Sequence, residues 1–425
     1  MLKELIEQTT TYSVQKIIKQ SMNENLKIKN LDFEVQREVN KDKKYLLYMH
    51  IPFCHTFCPY CSFHKFKYEE NSAKEYFKYL RLEMKKLKSE GLSFHTLYVG
   101  GGTTLINEEE LVKTLELAKK LFNVKEISCE SDPNHISYDS LKRFTGLIDR
   151  LSIGIQSFND NILKAIYRYD KFGSSQILQE KISSIAGVLP HISLDLIFNF
   201  PTQTKEILLN DLTIAKSLNV EQITTYPLMS TDLTQKSMSK AFKGEKNSNE
   251  YKFYKIICNE FKEYHQNNAW SFSKNKSSMS DEYVSQHSEY IGIGSGAFSH
   301  LKNKLYVNAY NLEEYALLIN KRTHTVIASS QFSSKKLIQY HFLTWLFEGS
   351  VDIKKFDIAF NTSLKKELVS ELYMLKKTNS ILIKNDKIYT TKFGKYLSLV
   401  MMKEFYSGMD KIRAIFKQKI PLEVA

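Results

Sequence analysis

The sequence predicts an α/β protein built on a partial (β/α)6 barrel of the TIM type, with a helical extension before it and a winged-helix-like α+β domain after it. Three observations lead to this prediction. Between residues 44 and 230, six short apolar runs alternate with longer segments of helical period, which is typical of βα units around a parallel sheet. Beyond residue 230 the alternation stops. The 425 residues also leave room for more than one domain, at about 150 residues per domain.

The first 230 residues divide into an extension and the barrel. Residues 1–43 are polar with a helical pattern, and residues 44–230 form the predicted barrel. The predicted strands span residues 45–52, 96–99, 126–131, 151–156, 192–198 and 222–226. The predicted helices span residues 69–89, 107–121, 137–146, 159–169, 172–186 and 203–217. Because βα barrels place their chemistry on the loops that follow the strands, those loops are the candidate site.

The remaining residues have a different pattern. Residues 231–330 are rich in Ser, Lys and Asn, with one helical stretch near 249–266, and are interpreted as a barrel-completing or substrate region. Residues 331–425 form the predicted winged-helix-like domain. It contains helices at 334–347, 362–377 and 394–407 and a hairpin at 381–389 that turns at Asn385-Asp386.

Composition excludes several classes of protein. Hydrophobic residues make up 42% and charged residues 25%, which is ordinary for a globular chain and not for a disordered or fibrous one. The sequence contains no run of 18 apolar residues, so no integral membrane segment is predicted. Charged residues stand where a signal peptide would be continuously apolar, so the expected location is the cytoplasm.

The formal net charge of +13 has an unremarkable explanation. Only seven of the 60 basic residues are arginine, the side chain best suited to bidentate phosphate recognition, and the lysines are spread over the whole chain. We therefore do not expect a nucleic-acid partner. A basic surface suits an acidic electron donor or a substrate that carries carboxylates.

The cysteines indicate a metal centre. Three of the five, Cys54, Cys58 and Cys61, lie within eight residues in a C-x3-C-x2-C spacing, while Cys129 and Cys258 are isolated and are interpreted as small buried side chains. Three thiolates hold three irons of a [4Fe–4S] cluster and leave the fourth iron open. His64, three residues after Cys61, keeps a structural Cys3His zinc site as an alternative.

The motif resembles that of the radical S-adenosylmethionine (SAM) superfamily. The flanking Tyr48-Met-His-Ile-Pro-Phe-Cys54 is similar to one branch, oxygen-independent coproporphyrinogen III oxidase and its haem-chaperone relative. Further blocks follow in the order of that family. They are Gly100-Gly-Gly-Thr-Thr104, Glu130-Ser-Asp-Pro133, Ser152-Ile-Gly-Ile-Gln-Ser-Phe-Asn159, Ser193-Leu-Asp-Leu-Ile197, Pro201-Thr-Gln-Thr204, Tyr226-Pro-Leu228 and Gly292-Ile-Gly-Ser-Gly-Ala297. The resemblance covers residues 44–300 and implies a radical SAM barrel.

The resemblance also implies a cofactor set. The three cysteines would hold a [4Fe–4S] cluster whose open iron chelates SAM, and one electron from the cluster would yield a 5′-deoxyadenosyl radical. The residues implied to bind the cofactor are Tyr48, Tyr60, Gly101, Gly102, Thr103, Glu130, Gln156, Arg168 and Asp195. Of these, Tyr48, Arg168 and Asp195 are also candidate catalytic residues.

Each implied role has a purely structural alternative. Tyr60 would present its backbone to adenine or merely pack the loop, and the glycines would receive the SAM ammonium or form a tight turn. Glu130 would bind a ribose hydroxyl or cap a helix. Arg168, placed on the helix after the fourth strand, would clamp the SAM carboxylate or form a surface ion pair. Asp195 lies in an apolar strand and needs a partner or a function.

Three departures separate the sequence from its relatives. Coproporphyrinogen oxidases carry a further cysteine where this chain has Phe63. Haem chaperones carry His-Asn-x-x-Tyr-Trp before the glycine-rich block, where this chain has Gln286-His-Ser-Glu-Tyr290. The usual Tyr-Gly-Leu-Pro is replaced by Phe198-Asn-Phe-Pro201. Radical methyltransferases and haem-opening enzymes of this branch also lack the extra cysteine and use two SAM molecules. Residues 292–297 are therefore a candidate for a second SAM site.

The leading hypothesis is a radical SAM oxidoreductase that acts on a tetrapyrrole by hydrogen abstraction, with oxidative decarboxylation or a related step. It would require one SAM molecule or two, and an acidic electron donor such as flavodoxin or ferredoxin. A radical methyltransferase or haem-degrading enzyme of the same branch is one alternative, and a non-catalytic haem-binding chaperone is another. A zinc-bound nucleic-acid module is the third.

Overall fold

The computed structural model describes residues 2–31, 34, 37–276 and 289–417. The strands within these residues are β1 (Lys29–Asn30), β2 (Lys44–Ile51), β3 (Phe53–Cys54), β4 (Phe66–Lys67), β5 (Ser93–Gly101), β6 (Glu126–Ser131), β7 (Arg150–Gln156), β8 (His191–Phe198), β9 (Gln222–Pro227), β10 (His265–Gln266), β11 (Ser271–Ser273), β12 (Tyr290–Ile293), β13 (Phe298–Leu301), β14 (Lys304–Asn308), β15 (Val326–Gln331), β16 (Ser350–Asp352), β17 (Ile381–Lys384) and β18 (Lys387–Thr390).

The helices precede, separate and follow these strands. They are α1 (Leu2–Asn25), α2 (Glu70–Ser89), α3 (Glu108–Phe122), α4 (Tyr138–Lys142), α5 (Asp160–Ala165), α6 (Tyr169–Phe172), α7 (Ser175–Ser183), α8 (Lys205–Ser217), α9 (Gln235–Ala241), α10 (Glu250–Glu260), α11 (Leu312–Lys321), α12 (Ser334–Phe347), α13 (Ile353–Phe360), α14 (Leu364–Glu367), α15 (Val369–Lys377) and α16 (Lys392–Lys417), with a 3-10 turn at Thr104–Ile106.

One large open sheet organises the molecule. Its strand order is β1-β15-β14-β13-β12-β2-β5-β6-β7-β8-β9-β11-β10, and the six predicted barrel strands β2 and β5–β9 are parallel neighbours. The α/β class and the partial six-stranded barrel are thereby confirmed. A seventh parallel strand, β12, pairs with β2 and was not predicted. The antiparallel strands β13, β14, β15 and β1 extend the sheet beyond it.

The barrel strands alternate between an apolar and a polar face. On β8, Ile192 and Leu194 are buried in the hydrophobic core, whereas Ser193 and Asp195 face the barrel interior. Side chains on a strand alternate with period two, so one face packs against the helices and the other lines the lumen. This register explains why Asp195 occurs within an apolar run.

Capping residues set several helix boundaries. Asn107, Ser174 and Thr204 accept hydrogen bonds from backbone amides at the starts of α3, α7 and α8, and Asn123 ends α3 in a left-handed conformation. These signals are local in sequence, which explains why the predicted starts of these helices deviate by only a few residues.

Several predicted elements were wrong in extent. The segment predicted as one helix at 159–169 is broken, because Tyr167 adopts a positive φ of 59°. Arg168 therefore lies between α5 and α6 and not on a helix. The predicted helices at 137–146 and 249–266 end early, at Lys142 and Glu260, and the helix at 362–377 is two helices. Residues 231–330, interpreted as mixed, contain the strands that extend both sheet edges.

The C-terminal region contains the predicted helices and small sheet. Strands β16, β18 and β17 form a three-stranded antiparallel sheet. The hairpin turn at Asn385 and Asp386 is confirmed, since both residues have positive φ, the conformation of a type I′ turn. The last helix, α16, continues to Lys417, well beyond the predicted end at 407.

The first and last helices pack against each other. A Cβ atom added at Gly408 of α16 would lie 2.5 Å from Met22 of α1, so glycine permits the close approach. No helix among the described residues is both long and apolar enough to cross a membrane.

Candidate cofactor site and adjoining cavity

The cysteine loop follows β2 at the carboxyl end of the barrel. Cys54 ends β3, and its carbonyl accepts a hydrogen bond from Tyr68 N at 2.9 Å, which closes the loop at its base. Cys61 N donates to Cys58 O at 3.2 Å, which forms a turn between the second and third cysteines. All three thiols are free and half-buried. Burial raises the pKa of the Cys54 thiol to about 11, so deprotonation of this group needs a metal or another positive charge.

The donor set fits a cluster better than a single metal ion. Over residues 2–31, 34, 37–276 and 289–417, no three His, Cys, Asp or Glu side chains converge as ligands of one ion. Three thiolates of a [4Fe–4S] cluster each bind a different iron, so they do not need to converge on one point. His64 is buried, and its Nε2 lies 3.0 Å from Ser295 Oγ and not beside the cysteines.

Thr103 on the second barrel loop and Asp132 on the third form a hydrogen-bonded pair beside Cys54. The hydroxyl of Thr103 lies 3.9 Å from Cys54 Sγ and donates to Asp132 at 3.0 Å. Burial alone would raise the pKa of Asp132, but the hydrogen bond from His135 and the charge of Lys171 lower it well below its usual range. Asp132 therefore remains ionised beside the cysteine loop.

Arg168 reaches the cysteine loop from the fourth barrel loop. Its Nη1 lies 3.8 Å from Cys58 Sγ and donates to the Tyr60 hydroxyl at 3.2 Å, and its Nη2 donates to Gly154 O. The guanidinium also stacks on Phe172 at 4.2 Å. Arg168 is 5% exposed, and its Nε has no hydrogen-bond partner in the structure. A buried cation with an unused donor favours an anionic ligand at this point.

The glycine block permits close packing of two loops. A Cβ atom at Gly101 would lie 2.6 Å from the His50 ring, and one at Gly102 would lie 2.5 Å from Phe53 O. Gly102 N donates to Ile51 O at 2.7 Å, and Thr103 N donates to Phe53 O at 2.8 Å. These glycines hold the second loop against the base of the cysteine loop, and both remain half-exposed.

Glu130 lies at the end of β6 next to this block. It accepts hydrogen bonds from the Tyr98 hydroxyl at 2.9 Å and from Gly101 N at 3.2 Å. Burial raises its pKa. The carboxylate therefore faces the lumen and does not cap a helix.

Gln156 and Asp195 continue the site on the next two strands. Gln156 ends β7 with a φ of 76°, an uncommon conformation for a residue with a side chain and one that is often found at functional sites. Asp195 accepts a hydrogen bond from Ser152 Oγ at 2.8 Å. Ser152 in turn lies 3.3 Å from Arg150 Nη2, and Arg150 also contacts Ser128 and Gln222.

Tyr48 and His50 line the first strand of the lumen. The Tyr48 hydroxyl is 2.9 Å from His50 Nδ1, and His50 Nε2 is 3.0 Å from His64 O. Burial lowers the pKa of His50 to about 4, so the imidazole is neutral at physiological pH. Burial and the nearby charge of Glu130 raise the pKa of Tyr48.

A cavity of about 450 Å³ adjoins the lumen. Its apolar wall comes from α1, the strands β12–β14, and the helices α12, α15 and α16. Residues of this wall include Val14, Ile18, Met22, Phe298, Leu305, Phe342, Leu343, Met374, Met401, Phe405 and Met409. Polar side chains join it, including His300, Lys336, Gln339, Tyr340, Glu371 and Arg413. Tyr290 lines the cavity and also packs with Leu46 and Tyr98 inside the barrel, so cavity and lumen share a wall.

The glycine-rich block at 292–297 is explained by packing. A Cβ at Gly294 would lie 2.3 Å from the Tyr76 hydroxyl, and one at Gly296 would lie 2.4 Å from the His64 ring. Gly294 N donates to the buried carboxyl of Glu83 at 2.9 Å. All of residues 292–297 are buried, so the block offers no open backbone to a second SAM.

Two of the three departures from the relatives lie on the cysteine loop and before β12, and the third, Phe198-Asn-Phe-Pro201, starts at the last residue of β8. Phe63 is 43% exposed on the cysteine loop. Residues 286–288 of the altered chaperone motif lie outside the described residues.

Direct contacts link the cysteine loop to Thr103 and Arg168, and Gly101 to Glu130, while Gln156 and Asp195 lie on the next two strands. Sequence reasoning missed Asp132, Ser152 and Arg150. Asp132 lies within a quoted motif, and Arg150 is one of seven arginines, so both carried a signal that was not used.

Several known proteins are similar to this chain. Residues 48–210 match the family model described as the radical SAM superfamily. The heme chaperone HemW of Bacillus subtilis (strain 168) is 28% identical over 373 residues, covering 82% of this chain and 96% of that protein. The oxygen-independent coproporphyrinogen III oxidase of Helicobacter pylori (strain J99) is 30% identical over 207 residues, covering 46% of this chain and 44% of that protein.

A solved structure shares the fold. Coproporphyrinogen III oxidase (HemN) from Escherichia coli superposes with a TM-score of 0.71 at 18% sequence identity, covering 85% of this chain and 90% of that one.

Proposed function

Because the chain is a member of the radical SAM superfamily, in the branch of coproporphyrinogen oxidases and heme chaperones, we propose that it is a [4Fe–4S] enzyme that cleaves SAM beside a bound tetrapyrrole. The observation that carries the proposal is the shared wall at Tyr290. It places an aromatic cavity of about 450 Å³ next to the lumen that holds the cofactor residues.

The cofactor half is assigned residue by residue. Cys54, Cys58 and Cys61 hold the cluster, and the unused donor of buried Arg168 binds the SAM carboxylate. Glu130, which is half-buried, accepts a hydrogen bond from a ribose hydroxyl of SAM. Tyr60 offers its backbone to adenine, while Gln156 and Asp195 complete the lumen wall next to SAM.

The tetrapyrrole half is assigned by shape and charge. Aromatic and methionine side chains suit a flat apolar macrocycle, and Met adapts to irregular ligand shapes. The basic side chain of Lys336 lies in the same wall and suits the carboxylates that tetrapyrroles carry.

The chemistry divides between the cofactors and the chain. When bound by Cys54, Cys58 and Cys61, a reduced [4Fe–4S] cluster would supply the one electron needed to break a sulfonium C–S bond of SAM, which releases methionine and provides for hydrogen abstraction from the substrate. The chain orients SAM through Arg168 and Glu130, and the aromatic wall around Tyr290 excludes water from the path between SAM and the cavity. Tyr48 lines this path, with its hydroxyl held by the neutral imidazole of His50.

Phe63 favours a reaction other than that of the coproporphyrinogen oxidases, which carry a cysteine at this position. Decarboxylation, methyl transfer and ring opening of a tetrapyrrole remain the reactions to distinguish, and product analysis distinguishes them. The buried glycine block at 292–297 argues against a second SAM molecule at that block.

Haem delivery without SAM turnover is the second candidate. It is favoured by the heme chaperone of Bacillus subtilis, which this chain matches over 96% of that protein's length. Under this alternative the same cavity holds haem as cargo.

The electron donor would approach the exposed face of the cysteine loop. Phe57 and Phe63 are 38% and 43% exposed there, and Lys65 lies 5.4 Å above the Phe57 ring. A cationic face with exposed aromatic rings suits an acidic redox protein such as flavodoxin or ferredoxin. Clustered free thiols suit the reducing cytoplasm.

Anaerobic reconstitution tests the enzymatic proposal. The protein should bind about four iron and four sulfide per chain. With dithionite, SAM and a tetrapyrrole, it should form 5′-deoxyadenosine and a modified tetrapyrrole. A protein that carries its full complement of iron and sulfide but forms neither product would refute the proposed enzymatic function.

Haem titration of the same protein tests the second candidate. A Soret band that saturates at one haem per chain, with no deoxyadenosine in the presence of haem and SAM, would establish delivery over catalysis. The absence of any tetrapyrrole binding would refute both.

A further inference from the structure

A row of side chains on α16 links the cavity to the cysteine loop. Met401, Phe405, Met409, Arg413 and Lys417 follow at intervals of four, so each is a neighbour of the next on the helix surface. The first four line the cavity. The last lies beside the segment that follows the third cysteine.

The end of α16 is held against that segment by three kinds of contact. Lys417 Nζ donates to Ser62 O at 3.2 Å and to Phe63 O at 3.1 Å. The Arg413 guanidinium lies 5.1 Å from the Phe63 ring. Phe416 stacks on Tyr310 at 5.0 Å, and Tyr310 lies 4.3 Å from the His64 ring. The end of the helix thus contacts Ser62 and Phe63 directly and reaches His64 through Tyr310.

A second lysine completes the arrangement from within the loop. Lys65 Nζ donates to Cys61 O at 2.7 Å. The carbonyls of Cys61, Ser62 and Phe63 therefore all accept from lysine ammonium groups, and two positive charges stand beside the third cluster ligand.

We propose that Lys417 is a positioning residue for the cluster, which fixes the Cys61–Ser62–Phe63 segment and raises the reduction potential of the cluster by its positive charge. The inference rests on the cluster of the proposed function but not on the substrate. Reduction adds negative charge to a cluster, and a nearby cation stabilises the reduced form, so net charge and hydrogen bonding set the potential. Arg413 is paired with Asp410, so it contributes packing against Phe63 more than net charge.

The charge is tested by redox titration of the reconstituted protein, followed by electron paramagnetic resonance. Lys417→Met should lower the ratio of reduced to oxidised cluster at fixed potential by ~10-fold, which corresponds to about 59 mV for one electron. Lys417→Arg keeps the charge and should restore the wild-type midpoint. Lys392→Met, which changes an exposed lysine at the opposite end of α16, is the matched control.

Hydrogen exchange tests the positioning without any cluster. In cluster-free protein, Lys417→Met should speed amide exchange in residues 55–66, and Lys392→Met should not. The inference is overturned if Lys417→Met leaves both the midpoint and the exchange unchanged. It is also overturned if Lys417→Arg shifts the midpoint as far as Lys417→Met does. Failure of wild-type protein to take up iron would count against the proposed function alone, because the exchange comparison needs no iron.

Discussion

The cofactor face and the adjoining cavity are built on opposite principles. The cofactor face is polar, and its side chains come from the ends of barrel strands and from the loops that follow them. The cavity is apolar, and its wall draws on the first helix, the sheet extension and the last helix. Contacts in the first region follow from strand register, whereas contacts in the second depend on elements that are far apart in the chain.

This difference explains how each region tolerates change. Polar side chains at the cofactor face have specific partners, such as Thr103 with Asp132 and Arg168 with Tyr60, so one substitution removes a defined interaction. The cavity wall consists of many similar apolar contacts. The effect of a single substitution there should therefore depend on the change in side-chain volume. Four predictions test the contrast, in order of decreasing effect.

Removal of a cluster ligand should have the largest effect. Cys58→Ala should abolish iron–sulfur absorbance and lower 5′-deoxyadenosine formation by more than ~1,000-fold, because the cluster loses one of three thiolates. The matched control is Cys258→Ala, which removes a half-buried thiol on α10. Equal iron content in the two variants would contradict the assignment.

Arg168→Lys should weaken SAM binding by about 10- to 100-fold, as expected for loss of a charge-assisted hydrogen bond worth about 1.5–3 kcal/mol. Isothermal titration with SAM measures the effect. Arg143→Lys, at an exposed ion pair with Glu108, is the control and should bind SAM as the wild type does. Unchanged affinity in Arg168→Lys would place the SAM carboxylate elsewhere.

Filling the cavity should separate the two regions. Leu343→Trp adds volume to the cavity wall and should weaken haem binding about tenfold while SAM affinity stays unchanged. Leu317→Trp, on the exposed face of α11, is the control. If Leu343→Trp lowered SAM and haem affinity together, the two sites would not be independent.

Mild acid should lower the stability of the fold through His341, which lies on a helix of the cavity wall. Burial, with the charges of His300 and Lys43, lowers the pKa of His341 on α12 to about 3, against 6.5 for an unperturbed histidine. Between these values the unfolded chain binds a proton that the folded protein excludes. The stability contributed by neutral His341 is therefore full above pH 6.5 and is lost as pH falls towards 3.

Urea unfolding at pH 7.0 and 5.5 measures this effect. Between pH 7.0 and 5.5, the free energy of unfolding of the wild type should fall by about 1 kcal/mol more than that of His341→Phe. This variant keeps the stacking on Phe360 and removes the titrating imidazole. His265→Phe, at an exposed histidine, controls for the added aromatic ring. Equal pH dependence in wild type and His341→Phe would contradict the prediction.

The sequence predicted what is encoded locally. Barrel strands such as β6 and β8 are short apolar runs that the sequence shows clearly. Motif residues lie at or after the ends of such strands, so it was predictable that these residues would lie at one end of the barrel. Arg168 was expected on a helix, because the helical pattern of residues 159–169 gave no sign that the backbone of Tyr167 adopts a left-handed conformation.

Long-range features were not predictable. Strand β12 has four residues, all buried, and its glycine interrupts any alternation, so its parallel pairing with β2 had no sequence signal. The contact of Lys417 with Ser62 joins residues far apart in the chain, and no motif indicates it. The cavity was missed for the same reason, since its wall comes from elements outside the motifs.

The packing of α1 on α16 has a consequence for the order of events during synthesis. Helix α1 is made before the barrel, yet Val14 is only 3% exposed, and Met22 meets Gly408 of α16, a helix made after the barrel. The apolar face of α1 therefore has no partner while the whole barrel is translated, whereas the barrel strands pair with neighbours made shortly before them. The cysteine loop and the lumen form early, and the cavity closes only when the last helix arrives.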